Sequence, residues 1–186
     1  MPLKKEFDHV MVDIETTGVN PAKAAHIQIA ARPFCLETGE MCDEYFEACL
    51  HVPENRGWES GCVEWWTSDE DRKETLKYIK DNRQDYMEVM TNFRHFVLDN
   101  CKHIGVEFWS NHTLDWEFIQ SYMFDYGWEN PFHFSNYREL NSFVGGVLRT
   151  SDRKTISDTR PEQPTSHNAI EDVDYQIKWL FSVMGK

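Results

Sequence analysis

The stretch from Phe7 to Glu15 alternates with the period of a β-strand and ends in two carboxylates. Val10, Val12 and Ile14 point to one side, and Met11, Asp13 and Glu15 point to the other. Carboxylates two positions apart on a strand share a face, with Cα atoms about 6.6 Å apart. They are placed to converge on one hard cation, which prefers oxygen ligands. Thr16-Thr17-Gly18-Val19-Asn20-Pro21 then reads as a turn. Taken alone, the pair is equally compatible with two solvated acids at a strand end.

Further strands are expected at Ala24–Phe34 and Met41–Val52, joined around Glu37-Thr38-Gly39-Glu40, as an antiparallel meander. Pro53 to Gly61 is polar and reads as a loop. Ser68-Asp69-Glu70-Asp71 resembles a capping signal for a helix running to about Lys80. Met87, Met90, Phe93, Val97 and Cys101 keep helical spacing, so Tyr86–Cys101 is predicted helical. Val106–Trp109 reads as a short strand, and Leu114–Tyr126 and Tyr137–Leu148 as helices. Arg149 to Thr165 has few apolar residues, four basic ones and two prolines, and is expected to be an exposed, mobile loop. The last helix is expected over Asn168–Met184. No repeat or linker interrupts the 186 residues, so the expectation is one domain, 1–186, of α/β class with a mixed sheet.

Hydrophobic residues make up 40% of the chain, enough for a packed core rather than a disordered chain. No apolar run approaches the roughly 18–20 residues that span a bilayer. The N-terminus lacks the apolar segment of a signal peptide, so a soluble cytoplasmic protein with no membrane partner is expected. The five cysteines are odd in number and include no C-x-x-C, which favours reduced structural thiols. A net charge of −13 argues against broad passive binding to a phosphate backbone. It leaves room for a nucleic-acid enzyme whose bound cations reverse the local field.

Asp115 follows the strand Val106–Trp109 and the turn Ser110-Asn111-His112, at the head of a helix, where a carboxylate also simply suits the dipole. His167 precedes the last helix and is the residue type that titrates near neutrality. On a wheel of about 100° per residue with Ile170 at 0°, the apolar residues of that helix cluster near ~330°. Asp172 falls near ~200°, off the apolar stripe, but Glu171 lies equally far off on the other flank. Amphipathicity therefore leaves both open. Tyr175 and Trp179 fall near ~140° and ~180°, away from the core, and suggest a contact surface.

Asp13-x-Glu15-Thr16-Thr17-Gly18, Asp115 at a helix head and His167-x4-Asp172 together resemble the three motifs of the DnaQ-like DEDDh 3′→5′ exonucleases. The nearer resemblance is to the small ribonuclease T-like and DexA-like enzymes. Val63-Glu64-Trp65-Trp66 is similar to a Trp-Trp segment of that group, and Asn136-Tyr137-Arg138-Glu139-Leu140 to its Arg-acid-aliphatic segment. The resemblance runs from about Val10 to Leu180, with Leu114 and Val173 where an aromatic and an alanine are usual.

This resemblance implies a ribonuclease H-like mixed five-stranded sheet flanked by helices. It implies two Mg²⁺ ions, replaceable by Mn²⁺. Asp13 would bridge them, Glu15 and Asp172 would complete the first ion's set, and Asp115 would serve the second. It selects Asp172 over Glu171 and gives His167 the role of base toward the attacking water. The substrate implied is single-stranded nucleic acid, RNA or DNA, with a free 3′ end, released as nucleoside monophosphates. Thr16, Thr17 and Gly18 would touch the terminal nucleotide through backbone groups. Arg138 would join the substrate contacts. If one continuous helix runs through this region, Trp65 shares a face with Leu76 and Ile79, so Trp66 is the expected stacking residue. The basic stretch Arg149–Arg160 has the charge to hold phosphates ahead of the scissile one. A homodimer is expected by the same likeness. Two other readings stay open: a non-catalytic nucleic-acid-binding adaptor on the same fold, and a hydrolase of short oligonucleotides or dinucleotides.

Overall fold

The computed structural model describes residues 7–102, 105–162 and 168–186. His167 lies outside the described residues. The alternating segment forms β1 (His9–Thr16), which pairs antiparallel with β2 (His26–Cys35). β2 continues antiparallel to β4 (Phe46–Leu50) and to the two-residue β3 (Glu40–Met41). On its other side β1 runs parallel to β6 (Glu107–Ser110), which runs parallel to β7 (Tyr137–Glu139). β5 (Arg83–Gln84) adds a short parallel edge to β4, giving the order β5-β4-β2-β1-β6-β7. The five longer strands make the expected mixed sheet, and the two short pieces extend it.

β1 is central and is covered on both sides, as a strand flanked by parallel and antiparallel neighbours requires. Val10, Val12 and Ile14 pack with Val89, Phe93 and Val97 of α3 (Tyr86–Asn100) and Phe118, Ile119 and Tyr122 of α4 (Thr113–Tyr126). Met11 faces the opposite layer, with Trp109, with Leu140 and Val144 of α5 (Leu140–Leu148), and with Val173 and Ile177 of α7 (Ala169–Met184). Burying each such side chain is worth about 1.5–3 kcal/mol. Period two therefore carries Asp13 and Glu15 along the Met11 side toward α7.

The capping signal holds: Asp69 accepts from the Arg72 amide at 2.9 Å and opens α2 (Glu70–Asp81). Before it, Ser60–Trp66 forms α1, whose first two residues fall within the expected loop. Tyr137–Glu139 is strand, not helix, because β6 offers a parallel edge to it. The helix starts only at Leu140, where the Glu139 carboxylate accepts from the Asn141 and Ser142 amides at 3.1 and 2.7 Å.

The basic stretch also departs from the expected loop. Arg153–Ser157 forms α6, capped by Asp152 and anchored by buried Ile156. This segment covers the face of α7 that was expected to be exposed. Trp179 is fully buried, its indole donating to Thr159 Oγ1 at 3.0 Å with the Arg160 guanidinium 4.8 Å from its ring centre. Tyr175 is buried too, its hydroxyl donating to the Pro161 carbonyl at 3.3 Å. The Tyr175–Trp179 surface is therefore an internal interface. Asp174, on the apolar side of the wheel, pairs with Arg32 of β2 at 2.8 Å. Among the described residues, no helix is long and apolar enough to cross a membrane.

Candidate active site

Two parallel strands, β1 and β6, end at the same edge of the sheet, and such edges hold ligands in open α/β sheets. Their pairing stops at Met11–Trp109, which frees the β6-facing edge of β1 beyond that point while β2 stays paired on the other. The Ile14 amide is taken up by Asp115 Oδ1 at 3.1 Å, so the first turn of α4 is tied to β1. From the opposite layer, Asn168 caps α7 by accepting from the Ile170 amide, and the first turn of that helix presents Asp172.

Asp13, Glu15, Asp115 and Asp172 thus line one cleft of about 410 Å³. Carboxylate oxygens of Asp13, Glu15 and Asp172 lie within 4.8 Å of one another. Glu171 lines a separate depression and not the carboxylate cleft, so the tertiary packing distinguishes the two acids that the wheel left equal. The Asp13 carboxylate accepts from Gln176 Nε2 at 2.7 Å. Gln176 was not singled out from sequence, although it lies four residues after Asp172 and therefore on the same helix face.

The electrostatics are those of a site built for positive charge. Loss of water raises the Asp13 carboxyl well above the usual range. Repulsion from Asp115, Asp172 and Glu15 adds to this, and only the Gln176 amide opposes it. Desolvation, then Asp172 and Asp115, raises Glu15 in the same way. Desolvation, with Glu171 nearby, pushes Asp172 up to about 6. Asp115 is pushed up to about 7 by burial, against the pull of backbone amides including that of Ile14. Four acids in one dehydrated cleft are costly unless protonated or matched by cations. Oxygen donors of this kind fit hard divalent ions. Asp13, Glu15 and Asp172 would hold one such ion, with Asp115 facing the same space.

The two tryptophans exchange their expected places. Trp66 is fully buried and donates its indole N–H to the Thr16 carbonyl at 3.0 Å, so it braces the turn after β1 and has no surface for a base. Trp65 is 38% exposed and lines the carboxylate cleft. The Arg72 guanidinium lies 4.2 Å from its ring centre. The helical wheel misassigned them because α1 and α2 are separate helices, which breaks the assumed common face.

The Thr16-Thr17-Gly18 turn is internally held. Thr16 Oγ1 donates to the Gly18 carbonyl at 2.8 Å, and buried Thr17 Oγ1 donates to the Gly57 carbonyl at 2.6 Å. Glu59 presses against Gly18, where an added Cβ would lie 2.6 Å from the glutamate Cγ. The Glu59 carboxylate accepts from the Val19 and Asn20 amides at 3.2 and 3.0 Å. The close approach that requires glycine here is made by Glu59. Arg138 sits on β7, where it pairs with Glu107 at 2.6 Å and donates to the Ser135 and Tyr137 carbonyls. It does not line the cleft. Arg160, by contrast, does reach the cleft wall, beside Asn111 and His112.

Comparison with solved structures gives the same architecture. Cell-death related nuclease 4 (CRN-4) aligns over 96% of this chain with a TM-score of 0.65 and 20% identity, the chain spanning 65% of its length. Escherichia coli exonuclease I, solved with a dT13 oligonucleotide, aligns over 93% with a TM-score of 0.67 and 14% identity, the chain spanning 40% of it. The nuclease domain of 3′hExo, a DEDDh family member solved with rAMP, aligns over 98% of this chain and 94% of its own at 13% identity and a TM-score of 0.65. The fold is therefore the ribonuclease H-like fold of the DEDDh exonucleases. Comparison with curated proteins returned no match. The family model described as the 3′-5′ exoribonuclease Rv2179c-like domain matches residues 8–184. With nearly its whole length matched, the chain belongs to the Rv2179c-like family of 3′→5′ exoribonuclease domains.

Proposed function

We propose that this exonuclease hydrolyses single-stranded nucleic acid from its 3′ end, releasing nucleoside 5′-monophosphates with the help of two divalent cations, Mg²⁺ or Mn²⁺. The observation that carries this reading is the convergence of Asp13, Glu15 and Asp172 within 4.8 Å in a cleft shared with Asp115. Asp13, Glu15 and Asp172 would hold one ion and Asp115 the other. When bound, such ions neutralise the phosphodiester and lower the cost of charge on the entering and departing oxygens.

The chain's own groups supply the rest. Gln176 fixes the Asp13 carboxylate through its Nε2–H, donated to one carboxylate oxygen. His167, five residues before Asp172, takes the proton of the attacking water on an imidazole nitrogen. A new P–O bond forms from that water, and the bond from phosphorus to the O3′ of the preceding nucleotide breaks. Trp65, exposed at the cleft wall and backed by Arg72, provides a face on which the terminal base stacks. Burial of Trp66 and the pairing of Arg138 with Glu107 favour a supporting role for both over contact with substrate.

The test is hydrolysis of 5′-labelled single-stranded RNA and DNA, with free or blocked 3′ ends, with Mg²⁺, Mn²⁺ or EDTA. Stepwise shortening that needs a metal and a free 3′ end is expected. Intact oligomers under every metal condition would overturn the proposal, as would full turnover by a folded Asp13→Ala protein.

A further inference from the structure

We infer that a groove beside the active cleft, of about 960 Å³, carries the phosphates of the single strand on the 5′ side of the scissile bond. The inference rests on the exonuclease reading and adds to it the path of the substrate. The groove lies between α5 and α6 and shares His112 and Arg160 with the carboxylate cleft, so the two spaces are continuous. Its lining includes three arginines, Arg149, Arg153 and Arg160, and one carboxylate, Glu139. That carboxylate is engaged by the Asn141 and Ser142 amides. In a chain of net charge −13 this is a local basic island next to the acidic centre.

Four details fit an anionic polymer. Among the described residues, no ion pair engages Arg149, Arg153 or Arg160; outside the groove Arg32, Arg56, Arg72, Arg94 and Arg138 are paired and Arg83 donates to the Lys80 carbonyl. Arg160 is held at the junction: it donates to Asn141 Oδ1 at 2.7 Å, and Asn141 in turn donates to the Asn111 carbonyl at 2.6 Å. Its guanidinium packs on Trp179, and its Nε is buried without a hydrogen-bond partner. Arg149 ends α5 in the left-handed region, at φ 55°, the one described non-glycine residue with positive φ. Helices usually end there on glycine, which adopts the conformation freely. An arginine in that place accepts backbone strain to present a charge. Gly146, preceding it, has open space where a Cβ would stand, so a backbone can approach the floor closely.

The experiment measures binding of 5′-labelled single-stranded DNA and RNA 12-mers by fluorescence anisotropy, in Ca²⁺ to suppress turnover, for the wild type and the Arg149→Gly/Arg153→Ala protein. Removing two phosphate contacts lowers the salt slope by about 1.4, so the wild type loses about sevenfold more affinity than the variant between 50 and 200 mM salt. The loss of affinity is expected to be alike for DNA and RNA, and to grow with oligomer length. Arg149→Gly alone should keep or raise the melting temperature while weakening binding. Unchanged affinity and salt slope would overturn the inference, as would a loss confined to one sugar or a loss that tracks a falling melting temperature. A variant effect on binding in a protein that hydrolyses nothing would retain the groove and remove the exonuclease reading. Normal hydrolysis with unaltered binding would do the reverse.

Discussion

Replacing Asp13 by Asn separates the cost of the metal site from its use. Carboxylate oxygens of Asp13, Glu15 and Asp172 lie within 4.8 Å of one another. At that separation two unit charges repel by about 0.9 kcal/mol in bulk water and about 3.5 kcal/mol at an effective dielectric of 20. Partial protonation of the group reduces the sum, so relief of about 2 kcal/mol is expected in the metal-free protein. For a chain of this size that corresponds to a melting temperature roughly 4–8 °C higher. Asn preserves the acceptor oxygen that Gln176 uses, so the packing stays as it is. The assay is thermal unfolding followed by circular dichroism at pH 8, in EDTA and in 10 mM Mg²⁺ or Mn²⁺. Wild type gains stability with metal, about 2.7 kcal/mol where the ion stands at a hundred times its Kd. Asp13→Asn starts higher, gains little and loses turnover by more than ~100-fold. A variant less stable than wild type in EDTA would refute the repulsion argument. An undiminished metal-induced gain would refute the assignment of Asp13 as a ligand.

The raised carboxyls also set a pH dependence for the metal-free protein. Their folded pKa values lie above the unfolded ones, so their contribution is full at low pH and is lost as pH rises through about 6 for Asp172 and about 7 for Asp115. Melting temperature in EDTA should therefore fall between pH 5 and pH 8, and saturating Mg²⁺ should flatten or reverse that trend; the same fall with and without metal would contradict it. The tryptophans should separate cleanly. Trp65→Ala is expected to weaken oligonucleotide binding by roughly 5- to 150-fold, from the ~1–3 kcal/mol of a base–aromatic stack, with little change in melting temperature. Trp66→Ala should cost about 3–5 kcal/mol of stability, by emptying a core position and leaving the Thr16 carbonyl unpaired. Equal effects of the two on binding and on melting would refute the division.

Local sequence determined what depends on short-range periodicity. The alternation of β1 put Asp13 and Glu15 on one face, the spacing of α3 fixed its buried side, and Asp69 marked the start of α2. The order and spacing of the acidic motifs carried the family likeness, because ligand types and their distances along the chain survive in sequence even where packing does not. Tertiary structure decided the rest. Tyr137–Glu139 became strand because β6 had an open edge, a partner 29 residues away that no local pattern records. Asp172 and Glu171 are neighbours on one helix, and only the docking of α7 against β1 and β2 turns one of them into the cleft and the other away from it. Trp179 looked exposed until α6 and the residues after it covered it, and Trp65 looked buried until the break between α1 and α2 turned it outward. The acidic residues were thus legible in the chain by type, order and family likeness, whereas the side of α7 that enters the cleft and the walls of the cleft depend on how separate elements pack, which is a property of surfaces brought together only by folding.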